Sequence, residues 1–179
     1  GDLDLTKAEK YFTPATKIIS LTHVSNVLGT INPISKIAEI AHSIGAIFIV
    51  DGAQGVPHQS VNVQDLGCDF YTFSGHKMLA PTGVGVLWGK TAILEKMDPF
   101  MGGGEMINTV TLQSSTWNEL PYKFEAGTSA FVQVVGLGAA IDYLLKIGLK
   151  NITEHERKLT KYLLKKMSKM DNINIFGEP

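Results

Sequence analysis

The stretch AIFIVDGAQG, residues 46–55, decides the fold. Its first half is a continuous apolar run, and the run stops abruptly at Asp51 and Gly52. An apolar run this short, with no polar alternation, is typical of a strand that is covered on both faces, as strands of parallel sheets are. We therefore predict a buried strand here, with helices on both sides of its sheet.

The neighbouring segments extend this pattern into repeated strand and helix units. Residues 17–22 form a short β-branched run that predicts another strand. Residues 33–44 begin with Pro33, carry apolar residues at helical spacing and precede Gly45, which is the usual order of a helix start and end. Residues 69–73 and 83–88 predict two further strands. The sequence therefore predicts an α/β fold with a mostly parallel sheet flanked by helices.

The second half of the chain is harder to interpret. Residues 109–124 are polar, and we expect Trp117 and Tyr122 to anchor this segment by burial. Residues 132–147 are almost entirely apolar and predict a mostly buried helix. Residues 154–167 place apolar residues at helical spacing between charged ones, which predicts an amphipathic helix with a solvated face.

The composition excludes several classes of function. The chain has 179 residues, 44% of them apolar, and a formal net charge of -1 without a long basic block, which argues against nucleic-acid binding. We find no apolar run of membrane-spanning length and no signal pattern, so we expect no membrane partner. The single cysteine, Cys68, excludes an intrachain disulfide and fits a reducing, cytoplasmic location. The histidines share no metal-ligand spacing, so we predict no metal site.

Polar residues follow three predicted strands at the point where each strand ends. They are His23 and Asn26, then Asp51 and Gln54, then Ser74, His76 and Lys77. Because ligands of open α/β sheets bind beyond the carboxyl ends of the strands, we expect these side chains to converge at one edge. Each residue alone also has an ordinary explanation, as a turn, a helix cap or a solvated side chain.

One chemistry gives all of these residue types a role. A lysine at a strand end in apolar surroundings is a candidate for a neutral amine that forms a Schiff base. An aspartate on the neighbouring strand can pair with the ring nitrogen of pyridoxal phosphate. Ser74 and His76 can donate to its phosphate. A P-loop is excluded, because Lys77 follows His76 and precedes Met78, and no dinucleotide fingerprint is present.

Six separated motifs carry a resemblance to a known family. They are DGAQ at 51–54, VPH at 56–58, FSGHK at 73–77, PTG at 81–83, GGGEM at 102–106 and FEAGT at 124–128. In this order they resemble the SufS-type cysteine desulfurases of the class V aminotransferase family. The resemblance implies a pyridoxal-phosphate-dependent transferase of aspartate aminotransferase-like fold and a homodimer. Such an enzyme converts L-cysteine to L-alanine and passes sulfur to an acceptor protein of iron-sulfur cluster assembly.

The resemblance also implies roles for residues around the cofactor ring. Lys77 would hold the cofactor and move a proton between the substrate and the cofactor. Asp51 would pair with the pyridine nitrogen, and Gln54 would hydrogen-bond the phenolic oxygen. Asn26 would lie near that oxygen and the substrate carboxylate.

Three further residues are implied to bind phosphate. Ser74 and His76 would hold the phosphate of the cofactor in their own subunit, and Thr128 would reach the phosphate of the other subunit. The persulfide-forming cysteine of the family lies far downstream of the lysine and has no counterpart here. Cys68 precedes Lys77, so we interpret it as structural.

The missing counterparts predict a central fragment truncated at both ends and inactive by itself. Residues 1–149 are expected to be part of the large cofactor-binding domain, and residues 150–179 a helix and the start of an incomplete small domain. Two alternatives remain open at this stage. The chain could belong to another class V enzyme, such as a selenocysteine lyase or an aminotransferase, or it could be a ligand-free folded or dimerisation domain.

Overall fold

The computed structural model describes residues 3–177, except for the side chain of Glu9. The α-helices are α1 (Ala8–Tyr11), α2 (Ile34–Ser43), α3 (Val63–Leu66), α4 (Thr91–Leu94), α5 (Phe131–Ile147) and α6 (Leu149–Met167). The strands are β1 (Ile18–Thr22), β2 (Ile47–Asp51), β3 (Phe70–Ser74), β4 (Gly85–Gly89), β5 (Ile107–Val110) and β6 (Ser115–Trp117). Short 3-10 helices span Leu5–Lys7, Gly75–Met78 and Tyr122–Phe124.

A four-stranded sheet organises the first half of the chain. Its strand order is β1-β2-β3-β4, with β1, β2 and β3 parallel and β4 antiparallel to β3. Thr22 is in register with Asp51, and Asp51 with Thr72. The carboxyl ends of the three parallel strands therefore meet at one edge, and the predicted α/β fold with a mostly parallel sheet is confirmed.

One face of this sheet is packed against α2. The helix begins after Pro33 and ends just before Gly45, which has a positive φ of 73°. It buries its apolar stripe against the sheet residues Ile19, Phe48, Val50 and Tyr71, which are all buried in one cluster. We call this side, defined by those four residues, the closed face.

The opposite side of the sheet is less covered. Since strand side chains alternate between faces, the row formed by Thr22, Asp51, Thr72 and Ser74 lies on this side, which we call the open face. Ile47 and Ile49 of β2 also point this way and are only half-buried. The coverage of β2 is thus unequal, whereas the continuous apolar run predicted equal burial of both faces among these residues.

The second half of the chain departs further from the predictions. Strands β5 and β6 form an antiparallel hairpin where a polar segment without strands was expected. Trp117 is 37% exposed and Tyr122 is 52% exposed, so the prediction that both are buried is wrong. A two-stranded hairpin has no second layer of its own to cover such side chains.

Helix α5 forms as predicted, but it is less buried than predicted. Only Leu137, Ala140 and Leu144 are buried, and Val135 is 71% exposed. The predicted mostly buried helix is therefore wrong for the described residues. The sequence misled because α5 is apolar around its whole circumference, so it lacks the polar side that would identify a surface helix.

Helix α6 follows α5 after Gly148, which has a positive φ of 87°. In the part of the chain that the structure describes, no helix by itself has the length and apolar character of a membrane span, although α5 and α6, bent by 71°, reach that threshold as a pair. The hydroxyl of Thr153 donates to the carbonyl of His58 at 2.7 Å, and His58 Nδ1 lies 2.9 Å from Glu156 Oε1. These contacts connect α6 to the loop that follows β2.

Candidate active site

A cavity lies at the carboxyl edge of the sheet, on the open face. Asp51, Thr72 and Ser74 line it from β2 and β3, and Lys77 lines it from the 3-10 helix that follows β3. Its volume is about 540 Å³, which is in the range of small-molecule sites. The structure therefore brings together three of the predicted site residues, Asp51, Ser74 and Lys77.

Asp51 is held in place by the backbone on both sides of it. Its carbonyl accepts a hydrogen bond from the backbone N–H of His23 at 2.7 Å. Its carboxylate Oδ1 accepts one from the N–H of Ala53 at 2.9 Å, as in a turn capped by its own first residue. No hydrogen-bond partner of Oδ2 is found among residues 3–177, so this oxygen can accept a proton donor from a ligand.

Lys77 lies in the 3-10 helix Gly75–Met78, which ends at Leu79 with a positive φ of 68°. Its side chain is exposed, and within the described part of the chain its Nζ has neither a hydrogen-bond nor an ion-pair partner. The apolar surroundings predicted for this lysine are not provided by the described residues. Its amine is instead open to the cavity and able to react with a carbonyl group.

The chain approaches Gly75 so closely that there is no room for a side chain. A Cβ built at this position would lie 2.8 Å from Val84 Cγ1 and 3.0 Å from the Val84 carbonyl oxygen. The N–H of Gly75 donates to the same carbonyl at 2.9 Å. A side chain here would push the 3-10 helix away from the start of β4, and Ser74 and Lys77 would move with it.

The remaining predicted residues lie apart from this cavity. Gln54 is half-buried in the turn after Asp51, and His76 is exposed in the 3-10 helix. Asn26 is exposed in the loop after β1. Thr128 lines a different cavity together with Glu105. The cavity thus brings together Asp51, Ser74 and Lys77, but not the other four predicted residues.

Thr72 is a cavity residue that the sequence did not indicate. Its hydroxyl donates to the carbonyl of Val86 at 3.2 Å, which ties β3 to β4 beside Ser74. Thr72 lies inside the predicted strand, whereas the predicted site residues of the sheet all lie at or beyond strand ends. The signal that could have found it is the alternation of β3, which places Thr72 on the same face as Ser74.

Cys68 is buried in the core cluster of the closed face. Desolvation by burial raises the pKa of its thiol. A buried, protonated thiol is a poor nucleophile, so the packing agrees with a structural role for this residue. Within the described residues, no group of three or more His, Cys, Asp and Glu side chains could hold a metal ion.

The donor set of the cavity fits a phosphorylated pyridine aldehyde. The partner-free carboxylate oxygen of Asp51 suits a protonated ring nitrogen, and the open amine of Lys77 suits an aldehyde carbon. The hydroxyl of Ser74 can donate to a phosphate oxygen at the same edge. The three groups line one cavity, as a single ligand requires.

The comparisons with known proteins agree with this chemistry. The chain is 55% identical over 177 residues to a probable cysteine desulfurase of Halalkalibacterium halodurans, covering 99% of this chain and 44% of that protein. It is 49% identical over 179 residues to the cysteine desulfurase of Haloferax volcanii, covering 100% of this chain and 42% of that protein. The chain thus spans less than half the length of these relatives.

A solved structure gives the same result for the fold. The apo structure of a cysteine desulfurase from Thermococcus onnurineus NA1 matches with a TM-score of 0.93 at 38% identity, over 99% of this chain and 44% of that one. The sequence also matches the class V aminotransferase family over residues 1–179. The similarity to cysteine desulfurases that the six motifs indicated is confirmed, and the chain belongs to the class V aminotransferase family.

Proposed function

We propose that this chain is the cofactor-binding part of a SufS-type, pyridoxal-phosphate-dependent cysteine desulfurase. The observation that carries the proposal is the single cavity lined by Asp51, Ser74 and Lys77 at the carboxyl edge of the sheet. The proposal is supported by relatives named cysteine desulfurase that align with nearly the whole chain. The alternative of a ligand-free domain gives these three residues no common task.

When bound, pyridoxal phosphate supplies an electron sink that stabilises negative charge on the α-carbon of an amino-acid substrate. Asp51 keeps the ring nitrogen protonated by placing a carboxylate oxygen beside it. Gln54 donates to the phenolic oxygen of the ring. Ser74 and His76 bind the phosphate through a hydroxyl and an imidazole N–H.

Lys77 acts through Nζ in two ways. Its amine would hold the cofactor covalently, and it would also accept the proton of the substrate α-carbon and move it onward. Its exposure in the described chain leaves Nζ the freedom that both tasks need. Asn26 orients the substrate carboxylate from the loop after β1.

The proposed reaction conserves atoms and electrons without an external oxidant. The C–S bond of L-cysteine breaks, its sulfur forms an S–S bond with an acceptor thiolate, and the carbon skeleton leaves as L-alanine after protonation. L-cysteine and a thiol thereby give alanine and a persulfide. Cys68 does not serve as this thiol, because it is buried and its pKa is raised by burial. The acceptor thiol belongs to another part of the protein, which passes the sulfur to an iron-sulfur assembly protein.

The proposed enzyme is a cytoplasmic homodimer. Exposed apolar side chains on α5, such as Val135, and at the loop residues Phe100 and Leu112 support a protein interface on this half of the chain. Thr128 then donates to the cofactor phosphate of the partner subunit from a cavity that it does not share with Lys77. The one buried cysteine is compatible with a reducing compartment.

The division of the chain into domains also remains a proposal. We propose that residues 1–149 are part of the large cofactor-binding domain and that residues 150–179 begin a small domain. The sharp bend between α5 and α6 and the absence of buried residues in α6 among the described residues support a division near Gly148.

Cofactor binding is tested by titrating the intact protein with pyridoxal phosphate. We expect a visible absorption band, and borohydride reduction followed by peptide mass spectrometry should locate the cofactor on Lys77. Lys77→Ala should lose both signals, whereas Lys36→Ala, which removes an exposed lysine of α2, should keep them. A folded protein without a band, or a label on another lysine, would contradict the proposal.

Substrate choice is tested with the same intact protein. We expect release of alanine from L-cysteine in the presence of a thiol, with persulfide formed in equal amount. Efficient release of alanine from selenocysteine but not from cysteine would support a selenocysteine lyase instead. Transfer of an amino group to a keto acid, without alanine release from cysteine, would support an aminotransferase.

A further inference from the structure

Three polar side chains, of which two are buried and one, Gln59, is half-buried, form a chain of hydrogen bonds on the closed face, below the residues of the cavity. Tyr71 of β3 is 1% exposed, and His23, which directly follows β1, is 6% exposed. The Nδ1 atom of His23 lies 2.9 Å from the Tyr71 hydroxyl, and its Nε2 lies 3.0 Å from the amide nitrogen of Gln59. No function assigned so far uses these three groups.

The His23 imidazole links the other two groups of this network. Its Nδ1 faces the Tyr71 hydroxyl and its Nε2 faces the Gln59 side-chain amide, so in a neutral ring one nitrogen donates and the other accepts. Burial lowers the pKa of His23, which keeps the ring neutral and suits an imidazole that accepts on one side and donates on the other. Burial also raises the pKa of Tyr71, so its hydroxyl stays protonated.

The turn that carries Asp51 and Gln54 rests directly on this network. A Cβ built at Gly52 would lie 1.9 Å from Tyr71 Cε1, and one built at Gly55 would lie 2.7 Å from both the Tyr71 hydroxyl and His23 Nδ1. Neither glycine has a positive φ, so close contact with these rings, and not backbone conformation, requires glycine at both positions. The turn is therefore in contact with the Tyr71 ring and the His23 imidazole on its lower side.

The same network reaches Asp51 through the backbone. The N–H of His23 donates to the Asp51 carbonyl at 2.7 Å, and the N–H of Gly52 donates to the Thr72 carbonyl at 2.8 Å. The His23 backbone is thus bonded to Asp51, while the rings of His23 and Tyr71 lie against Gly52 and Gly55 of the turn. Hydrogen bonds fix both rings, and buried networks of this kind hold a single arrangement.

We propose that Tyr71, His23 and Gln59 are positioning residues that fix the Asp51–Gln54 turn from the closed face and thereby set the affinity for the cofactor on the open face. The inference rests on the proposed function, since it concerns how the same cavity holds pyridoxal phosphate. The three residues are not among those that line the cavity. They act through Asp51 and Gln54.

Two variants remove the hydrogen bonds without removing the packing. Tyr71→Phe keeps the ring below Gly52 and loses the hydroxyl, and Gln59→Leu removes only the outer bond to His23. We expect the Kd for pyridoxal phosphate, measured by absorption titration of the intact protein, to rise about fivefold in Tyr71→Phe and about threefold in Gln59→Leu. The control Ile37→Val loses a methyl group from the same buried cluster, and we expect its Kd to stay unchanged.

A double-mutant cycle with Asp51→Ala separates positioning from a general loss of stability. If the network acts through Asp51, Tyr71→Phe should have at most half of its effect on the Kd, as a ratio, when Asp51 is already alanine. A rise in Kd that is equal in both backgrounds, or equal to that of Ile37→Val, would overturn the inference. Thermal unfolding of each variant, followed in parallel, identifies any Kd change that only tracks stability.

The outcomes distinguish the inference from the function on which it rests. If Asp51→Ala and Lys77→Ala weaken cofactor binding while Tyr71→Phe and Gln59→Leu do not, the inference is wrong and the proposed function stands. If the folded wild-type protein does not bind pyridoxal phosphate, both are wrong. If all four variants weaken binding and the Tyr71 and Asp51 effects are coupled, the positioning role is supported.

Discussion

The two faces of the central sheet differ in whether their side chains can be substituted without loss of stability. On the open face, Asp51, Ser74 and Lys77 lie around a cavity with few contacts to other side chains. On the closed face, Phe48 and Tyr71 are buried in the main core. Neighbouring residues of one strand therefore serve different ends, because alternation sends each to a different face.

Because of this difference, adjacent residues of one strand can have different roles, one at the cavity and one in the core. Val50 and Tyr71 are buried in the core, whereas the residues that follow them in the chain, Asp51 and Thr72, line the cavity. Substitutions on the open face should therefore change function with little change in stability. Substitutions on the closed face should change stability, and reach function only where the network below the turn is involved.

The largest expected effect comes from Lys77→Ala on the open face. In the full-length protein we expect the rate of alanine release from L-cysteine to fall about 10³-fold or more, because the amine proposed to bind the cofactor and move the proton is removed. The midpoint of thermal unfolding without cofactor should stay within about 1 °C of the wild type, since the side chain is exposed and has no partner in the described chain. A large loss of stability in the apo protein would break the comparison.

Much of the open face was accessible from the sequence. Asp51 directly follows an apolar run, and Lys77 lies in the short segment after the next strand. The rule that ligands bind beyond the carboxyl ends of parallel strands was enough to place them at one edge. The rule does not report distances across loops. It therefore grouped Asn26 with them, although Asn26 lies outside the cavity in the described chain.

The hydrogen-bond network of Tyr71, His23 and Gln59 on the closed face could not be predicted from the sequence. Tyr71 looked like any aromatic residue of a strand, and its contact with Gly52 and Gly55 joins segments about twenty residues apart along the chain. The prediction that α5 is mostly buried failed for a related reason. Apolar periodicity tells which side of a helix is polar, but α5 has no polar side, so its sequence does not say how much of it is covered.

The largest expected effect on stability comes from Gly52→Ala on the closed face. The new Cβ would overlap the Tyr71 ring at about 2 Å, and relief requires movement of a buried ring or of the turn. We expect a loss of about 3 kcal/mol in the free energy of unfolding, measured by urea denaturation. Gly102→Ala is the matched control, because a Cβ there meets nothing within 4 Å, and its effect should stay below about 0.5 kcal/mol. Equal effects of the two substitutions would contradict the close packing of the turn on Tyr71.

A smaller loss of stability is expected from Asp69→Asn, at the opposite end of β3 from the cavity. The buried carboxylate accepts hydrogen bonds from Lys90 Nζ at 2.7 Å and from the N–H of Phe48 at 2.8 Å, and His42 Nε2 lies 3.1 Å away. Burial alone would raise the pKa of Asp69, but hydrogen bonds from these three groups lower it overall.

Removing the charge of Asp69 should therefore cost about 2 kcal/mol in the free energy of unfolding and leave the Kd for pyridoxal phosphate unchanged. Because the folded pKa is lowered, the stabilisation by Asp69 is present above its ordinary value of 3.8 and is lost as the pH falls through the folded pKa. Glu39→Gln, which changes an exposed carboxylate of α2, is the control and should have little effect. A change in cofactor affinity with Asp69→Asn would mean that the two ends of the sheet are coupled.

The smallest expected effect is a pH dependence of stability that originates in His23. Burial lowers the pKa of this histidine below its ordinary value of 6.5, so the unfolded chain takes up its proton more readily than the folded one. The contribution of the neutral ring is complete above pH 6.5 and is lost progressively as the pH falls from there through the lowered pKa. The side chains bonded to the ring are Tyr71, which stays protonated, and Gln59, which carries no charge, so neither compensates the imidazolium charge.

We expect the free energy of unfolding to fall more steeply between pH 7 and 5.5 in the wild type than in His23→Gln, while His155→Gln, an exposed control on α6, keeps the wild-type slope. Equal slopes for all three proteins would mean that His23 is not held neutral, and the network below the turn would then lack its neutral imidazole.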